Sequence, residues 1–141
     1  MRSPCASSHA NTSGAVRSGK VSKAMLAPRR DSHESPFTSQ RPLGALRKVM
    51  DRSGIILAGS GNTQGAVKQT FPVYEPRTHI TSGSFSPMGW AVPAALGAKL
   101  AAPERVVVSL VGDGGFGANP SLLYTAREKG IAVVWGVMNN N

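Results

Sequence analysis

Three scarcities bound what this 141-residue chain can be. It has a single cysteine, Cys5, which excludes a disulfide framework and a cysteine-built zinc site. No run approaches the roughly 20 apolar residues of a membrane span, and the first thirty residues lack the apolar stretch of a secretory signal, so no membrane partner is expected. Acids are few: seven Asp or Glu face sixteen Lys or Arg, for a formal charge of +9. That excess is uneven. Residues 1–52 hold ten basic side chains against three acids, and residues 53–141 hold six against four. Nucleic-acid binding would call for basic residues on a folded face or interleaved with aromatics. No aromatic precedes Phe37, so a solvated basic tail is expected instead, and no nucleic-acid partner.

Residues 1–36 read as a disordered, basic, Ser-rich leader, because Ser, Ala, Gly, Pro and Arg without apolar periodicity bury too little surface to offset ordering entropy. Residues 1–30 contain no acid, which is weakly like an organelle transit peptide; the alternatives are a tag-like extension or a misassigned start, with a cytoplasmic setting otherwise expected. Residues 37–141 have room for one core.

Order should begin with an amphipathic helix capped by Thr38 or Ser39, carrying Leu43, Leu46, Val49 and Met50 and ending at Gly54. "IILAG" (55–59) reads as a buried strand, followed by a helix through Ala66 and Val67. "THIT" (78–81) is a brief strand. "MGWAVPAALGAKLAAP" reads as a helix of small residues ending at Pro103, with Pro93 tolerable only near the first turn. "RVVVSLVG" and "IAVVWGVM" are continuous apolar runs, typical of parallel strands covered on both faces. Between them lies a helix capped by Asn119, starting at Pro120 and closed by Gly130. The fold class expected is α/β, a parallel sheet with helices on both faces. The last two strands should be parallel, so that Asp113 and Asn139 to Asn141 emerge on one carboxyl-end rim, where open α/β sheets hold ligands.

The chemistry of that rim is suggestive. Gly112-Asp113-Gly114-Gly115 offers a carboxylate beside backbone with no Cβ to keep a phosphate away. Asn contributes neutral oxygen, and Mg2+ favours a few hard oxygens plus phosphate and water. Each motif alone is more often a turn or a cap.

Together, Gly-Asp-Gly, twenty-four residues, then Asn139-Asn140 resemble the fingerprint of the thiamine-diphosphate-dependent enzymes. "SPMGWAVPAALGAKLAAPERVVVSLVGDGGF" and "AGSGNTQGAVKQTFPVYEPRTHITSGSFSPMG" are similar to their acetolactate synthase group, over about residues 38–141. The resemblance implies a thiamine-diphosphate-binding fold, incomplete at its C-terminus, with thiamine diphosphate and Mg2+ as cofactors. It implies Asp113 and Asn140 as metal ligands; Gly112, Gly114 and Gly115 at the diphosphate; Gly61, Asn62 and Thr63 on its other side; and Met88 propping the bent cofactor, with a gap-filling core methionine as the bland alternative. Ser86 and Pro87 stand where the family has Gly and a small donor residue, so the Ser86 backbone contact to the pyrimidine is expected to be altered. Leu122 stands where a Glu is often found. The chain stops at Asn141, one residue before a backbone carbonyl that normally completes the metal site.

The implied activity is decarboxylation of a 2-oxo acid followed by carboligation. Benzoylformate decarboxylase, oxalyl-CoA decarboxylase and glyoxylate carboligase share these motifs. The family's activating Glu comes from a separate pyrimidine-binding domain, usually on a second subunit, and none of Glu34, Glu75, Glu104 and Glu128 matches it. No catalytic residue is therefore assigned. An inactive isolated chain is expected, homo-oligomeric or aggregation-prone alone, with a non-catalytic cofactor-binding or subunit-interaction module as the alternative.

Overall fold

A computed structural model describes residues 25–33, 35 and 38–139. Nine elements lie between Arg41 and Met138, preceded by a helical segment, α1, at residues 25–30. The elements are α2 (Arg41–Val49), β1 (Ile55–Ala58), α3 (Asn62–Thr70), β2 (His79–Ile80), α4 (Ala91–Ala101), β3 (Val107–Gly112), α5 (Asp113–Gly117), α6 (Ser121–Glu128) and β4 (Val134–Met138). The four strands form one sheet in the order β2-β1-β3-β4. Every pairing is parallel, with Ile55 opposite Val107 and Gly112 opposite Met138.

The apolar runs become central strands because both of their faces are covered. All four residues of β1 are buried, as are the first five of β3. Ile56, Ala58, Val108 and Leu110 point to one face and pack with Leu43 of α2 and Ala66 and Val67 of α3. Ile55, Leu57 and Val107 point to the other, against Ala95 of α4. Val111 meets Ala91 and Val92 on that same side. Ser109, the polar exception, is fully buried, and its hydroxyl donates to the Ala91 carbonyl at 3.0 Å. That bond satisfies a group that would otherwise be costly to desolvate. Pro93 is the third residue of α4, within the first turn, where its missing N–H has no acceptor in any case.

The ends of the helices differ from expectation in informative ways. Helix α2 has Gln40 at its N-cap with no side-chain cap bond, because the Thr38 hydroxyl donates instead to the Arg29 carbonyl at 2.6 Å. That bond belongs to α1, which lies inside the stretch whose composition predicts no order. The ordering has a packing cause: Gly44 has no side chain, so the Arg30 stem rests where its Cβ would stand. Residues 1–24 of the expected leader lie outside the described residues.

Val49 turns outward, 83% exposed, whereas Leu43 and Met50 are buried. The inward face of α2 is therefore Leu43 and Leu46, with Met50 joining them from the C-cap. Asn119 does not cap α6, which starts at Ser121; its side-chain amide is engaged by Gly89. The far end of α6 follows its sequence signal. Gly130 has φ +64, with Gly130 N–H bonded to the Arg127 carbonyl and Ile131 N–H to the Ala126 carbonyl, a Schellman motif.

Candidate cofactor site at the switch point

Topology alone selects one location on this sheet. From β1 the chain passes through α3 on one face to β2, then through α4 on the opposite face to β3. The winding therefore reverses between β1 and β3, and ligands of open α/β sheets bind at the carboxyl ends of the strands flanking such a reversal. A cleft of about 310 Å³ lies there, at the lower end of small-molecule sites, which run from roughly 300 to 1,000 Å³. One wall is Gly59, Ser60 and Gly61 after β1; the other runs from Gly112, the last residue of β3, to Gly115; Met88 and Gly89 flank them.

Backbone geometry makes both walls. Gly61 has φ +82 and ψ −144, a conformation essentially reserved for glycine. A Cβ on Gly59 would stand 3.2 Å from the Val111 Cα, so glycine lets the end of β1 lie flush against β3. The Gly-Asp-Gly-Gly segment, expected as a turn, is the start of the five-residue helix α5, with Asp113 in its first turn. The first-turn N–H groups of a helix have no acceptor inside it, and Gly114 and Gly115, in the first turn of α5, line the cleft. Asp113 is exposed there.

The expected residues do not all converge. Gly61, Met88, Gly112, Asp113, Gly114 and Gly115 line the cleft. Met88 is 69% exposed, so it projects into open space and is not filling a core gap. Asn62 is an exposed first residue of α3, whereas Thr63 is buried in the core. Ser86 sits outside the lining, with φ +44, and its hydroxyl donates to Gln64 Oε1 at 3.1 Å. Asn140 lies outside the described residues. The register of β3 and β4 nevertheless ends with Gly112 opposite Met138, and neighbouring strands lie about 4.8 Å apart. Asp113 and Asn139 thus leave the sheet at one level on adjacent strands.

Sequence reasoning missed Gly59, Ser60, Gly89, Ala91 and Val111. The Gly59-Ser60-Gly61 repeat after a buried strand was a usable signal, whereas Gly89 and Ala91 enter only through tertiary packing. Among the described residues, no group of three or more His, Cys, Asp or Glu side chains could hold a metal. A set of one Asp plus amide oxygens is outside that category. Glu75 and Glu104 lie in loops and Glu128 ends α6, all away from the cleft lining.

The family model for the thiamine pyrophosphate enzyme C-terminal TPP binding domain matches residues 59–141. The chain belongs to the thiamine pyrophosphate enzyme family. The matched segment begins at the first glycine of the cleft and includes both of its walls. Among curated relatives, a probable acetolactate synthase large subunit of Methanocaldococcus jannaschii is 34% identical over 124 residues, covering 84% of this chain and 21% of the relative. The acetolactate synthase isozyme 1 large subunit of Escherichia coli is 35% identical over 105 residues, with 74% and 19% covered. The large subunit of Corynebacterium glutamicum is 39% identical over 95 residues, with 67% and 15% covered. The chain thus spans about a fifth of the length of these relatives.

Proposed function

We propose that this chain binds thiamine diphosphate together with Mg2+ in the switch-point cleft, as part of a 2-oxo acid decarboxylase or carboligase of acetolactate synthase type. The observation that carries the reading is the pair of glycine walls after β1 and β3 with the Asp113 carboxylate on one of them. These residues suit a diphosphate. Backbone without Cβ atoms permits close approach, first-turn N–H groups can donate to phosphate oxygens, and a carboxylate can hold the cation that neutralises them. Asp113 and Asn140 are the proposed metal ligands; Gly112, Gly114 and Gly115 contact the diphosphate; Gly61 and Asn62 close on it from the β1 side. Met88 supplies an apolar prop at the mouth.

When bound, the cofactor supplies a carbon nucleophile and electron sink for decarboxylation. The chain's own part is to bind and orient it. Asp113 is the only carboxylate on the cleft wall among the described residues and is committed to the cation, so no acid is left to manage a proton at the far end of the cofactor. The chain by itself is therefore proposed to bind without turning over a 2-oxo acid.

Isothermal titration of the chain with thiamine diphosphate, with and without Mg2+, tests this. Magnesium-dependent heat that disappears in Asp113→Ala is expected, with no carbon dioxide released from pyruvate. A folded chain, judged by near-ultraviolet circular dichroism, that gives no magnesium-dependent heat overturns the assignment.

A further inference from the structure

We propose that Gln64, Ser86 and Asn119 are positioning residues that set how far Met88 reaches into the cleft; the proposal rests on the cofactor reading above. Met88 sits in a strap fastened at both ends. Two residues before it, Ser86 holds φ +44, a region that L-residues with a side chain adopt at a conformational penalty. Its hydroxyl donates to Gln64 Oε1 at 3.1 Å. Gln64 is in the first turn of α3, immediately after the Gly61 wall. One residue after Met88, the Gly89 carbonyl accepts from Asn119 Nδ2 at 3.1 Å. A Cβ on Gly89 would stand 2.7 Å from that nitrogen, so the amide lies directly on the glycine. Asn119 follows α5, which carries the opposite wall. The strap is thus tied once to each side of the cleft.

Between the ties Pro87 fixes its own φ, leaving little slack in the four residues from Ser86 to Gly89. The reach of Met88 follows from this. Its sulfur lies 3.6 Å from where a Cβ on Gly114 would be, spanning the cleft to the Asp113 wall. An exposed, unbranched side chain with three rotatable bonds has no reason to hold that position unless its backbone is held. Strained backbone persists where surrounding contacts over-determine it, and such strain clusters at functional sites.

The test uses the 141-residue chain labelled at its methionine methyl groups. Three quantities are read: the nuclear Overhauser contact between the Met88 methyl and Gly114, the Kd for thiamine diphosphate with Mg2+, and the thermal midpoint. Ser86→Ala and Asn119→Asp, each lacking one donor, should lose the contact and weaken binding about two- to tenfold, the effect of one net hydrogen bond. Gln64→Ala removes the acceptor and should lose the contact and weaken binding to the same extent. Ser86→Gly relieves the backbone while cutting the tie. It should raise the midpoint yet still weaken binding, an opposition that a merely structural strap would not produce, and it carries the test if Ser86→Ala fails to fold. A Met88–Gly114 contact that survives in Ser86→Gly and Asn119→Asp overturns the proposal. So does affinity that simply follows the midpoint across the series. A wild-type chain that shows the contact, and its loss in the variants, but takes up no cofactor overturns the cofactor reading and leaves the strap standing.

Discussion

Gly61 carries more of the site than its size suggests. Its φ and ψ belong to glycine, yet nothing stands within 4 Å of where its Cβ would be. Gly61→Ala therefore meets no clash, and its whole effect is conformational. The expected loss is about 1 to 3 kcal/mol of stability, read as a lower denaturant midpoint at unchanged slope, with the β1-side wall displaced. Such a residue is only half legible in sequence. Gly59-Ser60-Gly61 after a buried run announces a turn, but which glycine takes the forbidden conformation is decided by how α3 must start. Ser86 shows the opposite limit. Its position in the family's glycine register was visible, whereas its left-handed backbone and its bond to Gln64 depend on two segments that meet only after folding.

The elements read well where one signal dominated. Continuous apolar runs gave β1 and β3, because a strand buried on both faces needs nothing else; the third run also forms a strand, β4, but not one covered on both faces as expected, since none of its residues is buried. The Schellman end of α6 followed from Gly130. Helix α5 escaped because Asp-Gly-Gly-Phe-Gly has no periodicity and three poor helix formers; it forms as a continuation of β3 held by its neighbours. The caps at Thr38 and Asn119 failed for a common reason: each polar side chain found a tertiary carbonyl, of Arg29 and Gly89, in preference to its own helix.

Strand β2 makes a further point about chemistry at the sheet edge. His79 is half-buried, its Nε2 has no hydrogen-bond partner among the described residues, and burial, assisted by the Lys68 charge, lowers its pKa below the ordinary 6.5. A lowered histidine pKa means that the unfolded chain takes up the proton more readily than the folded one. The neutral-His79 contribution is full above pH 6.5 and is lost as pH falls through the lowered folded value. Thermal midpoints should drop as pH falls from 7.5 to 5.5, and His79→Gln should flatten that drop; an unchanged slope in the variant would assign the acid sensitivity elsewhere.

At the scale of the whole molecule, the described sheet is well covered in the middle at β1 and β3 and more exposed at the outer strand β4. Among the described residues β4 is an outer strand of the sheet, paired on one side only. Val134 is 58% exposed and Val137 43%, although β4 pairs along its full length with β3. Apolar edges of this kind promote strand-to-strand association. Sedimentation velocity should show concentration-dependent self-association of the chain. Val134→Lys should suppress it while changing stability by no more than about 0.5 kcal/mol, as for surface substitutions generally. Association unaffected by that charge would point to another surface.

The β1–β3 ladder joins segments some fifty residues apart in the chain, Gly59–Gly61 and Gly112–Gly115. Neither segment alone encloses anything, so a chain that has not closed this ladder presents no receptor at all. Uptake of a small molecule between the two walls would consequently act as a selection for the native topology, drawing half-assembled chains toward completion by mass action in proportion to ligand concentration.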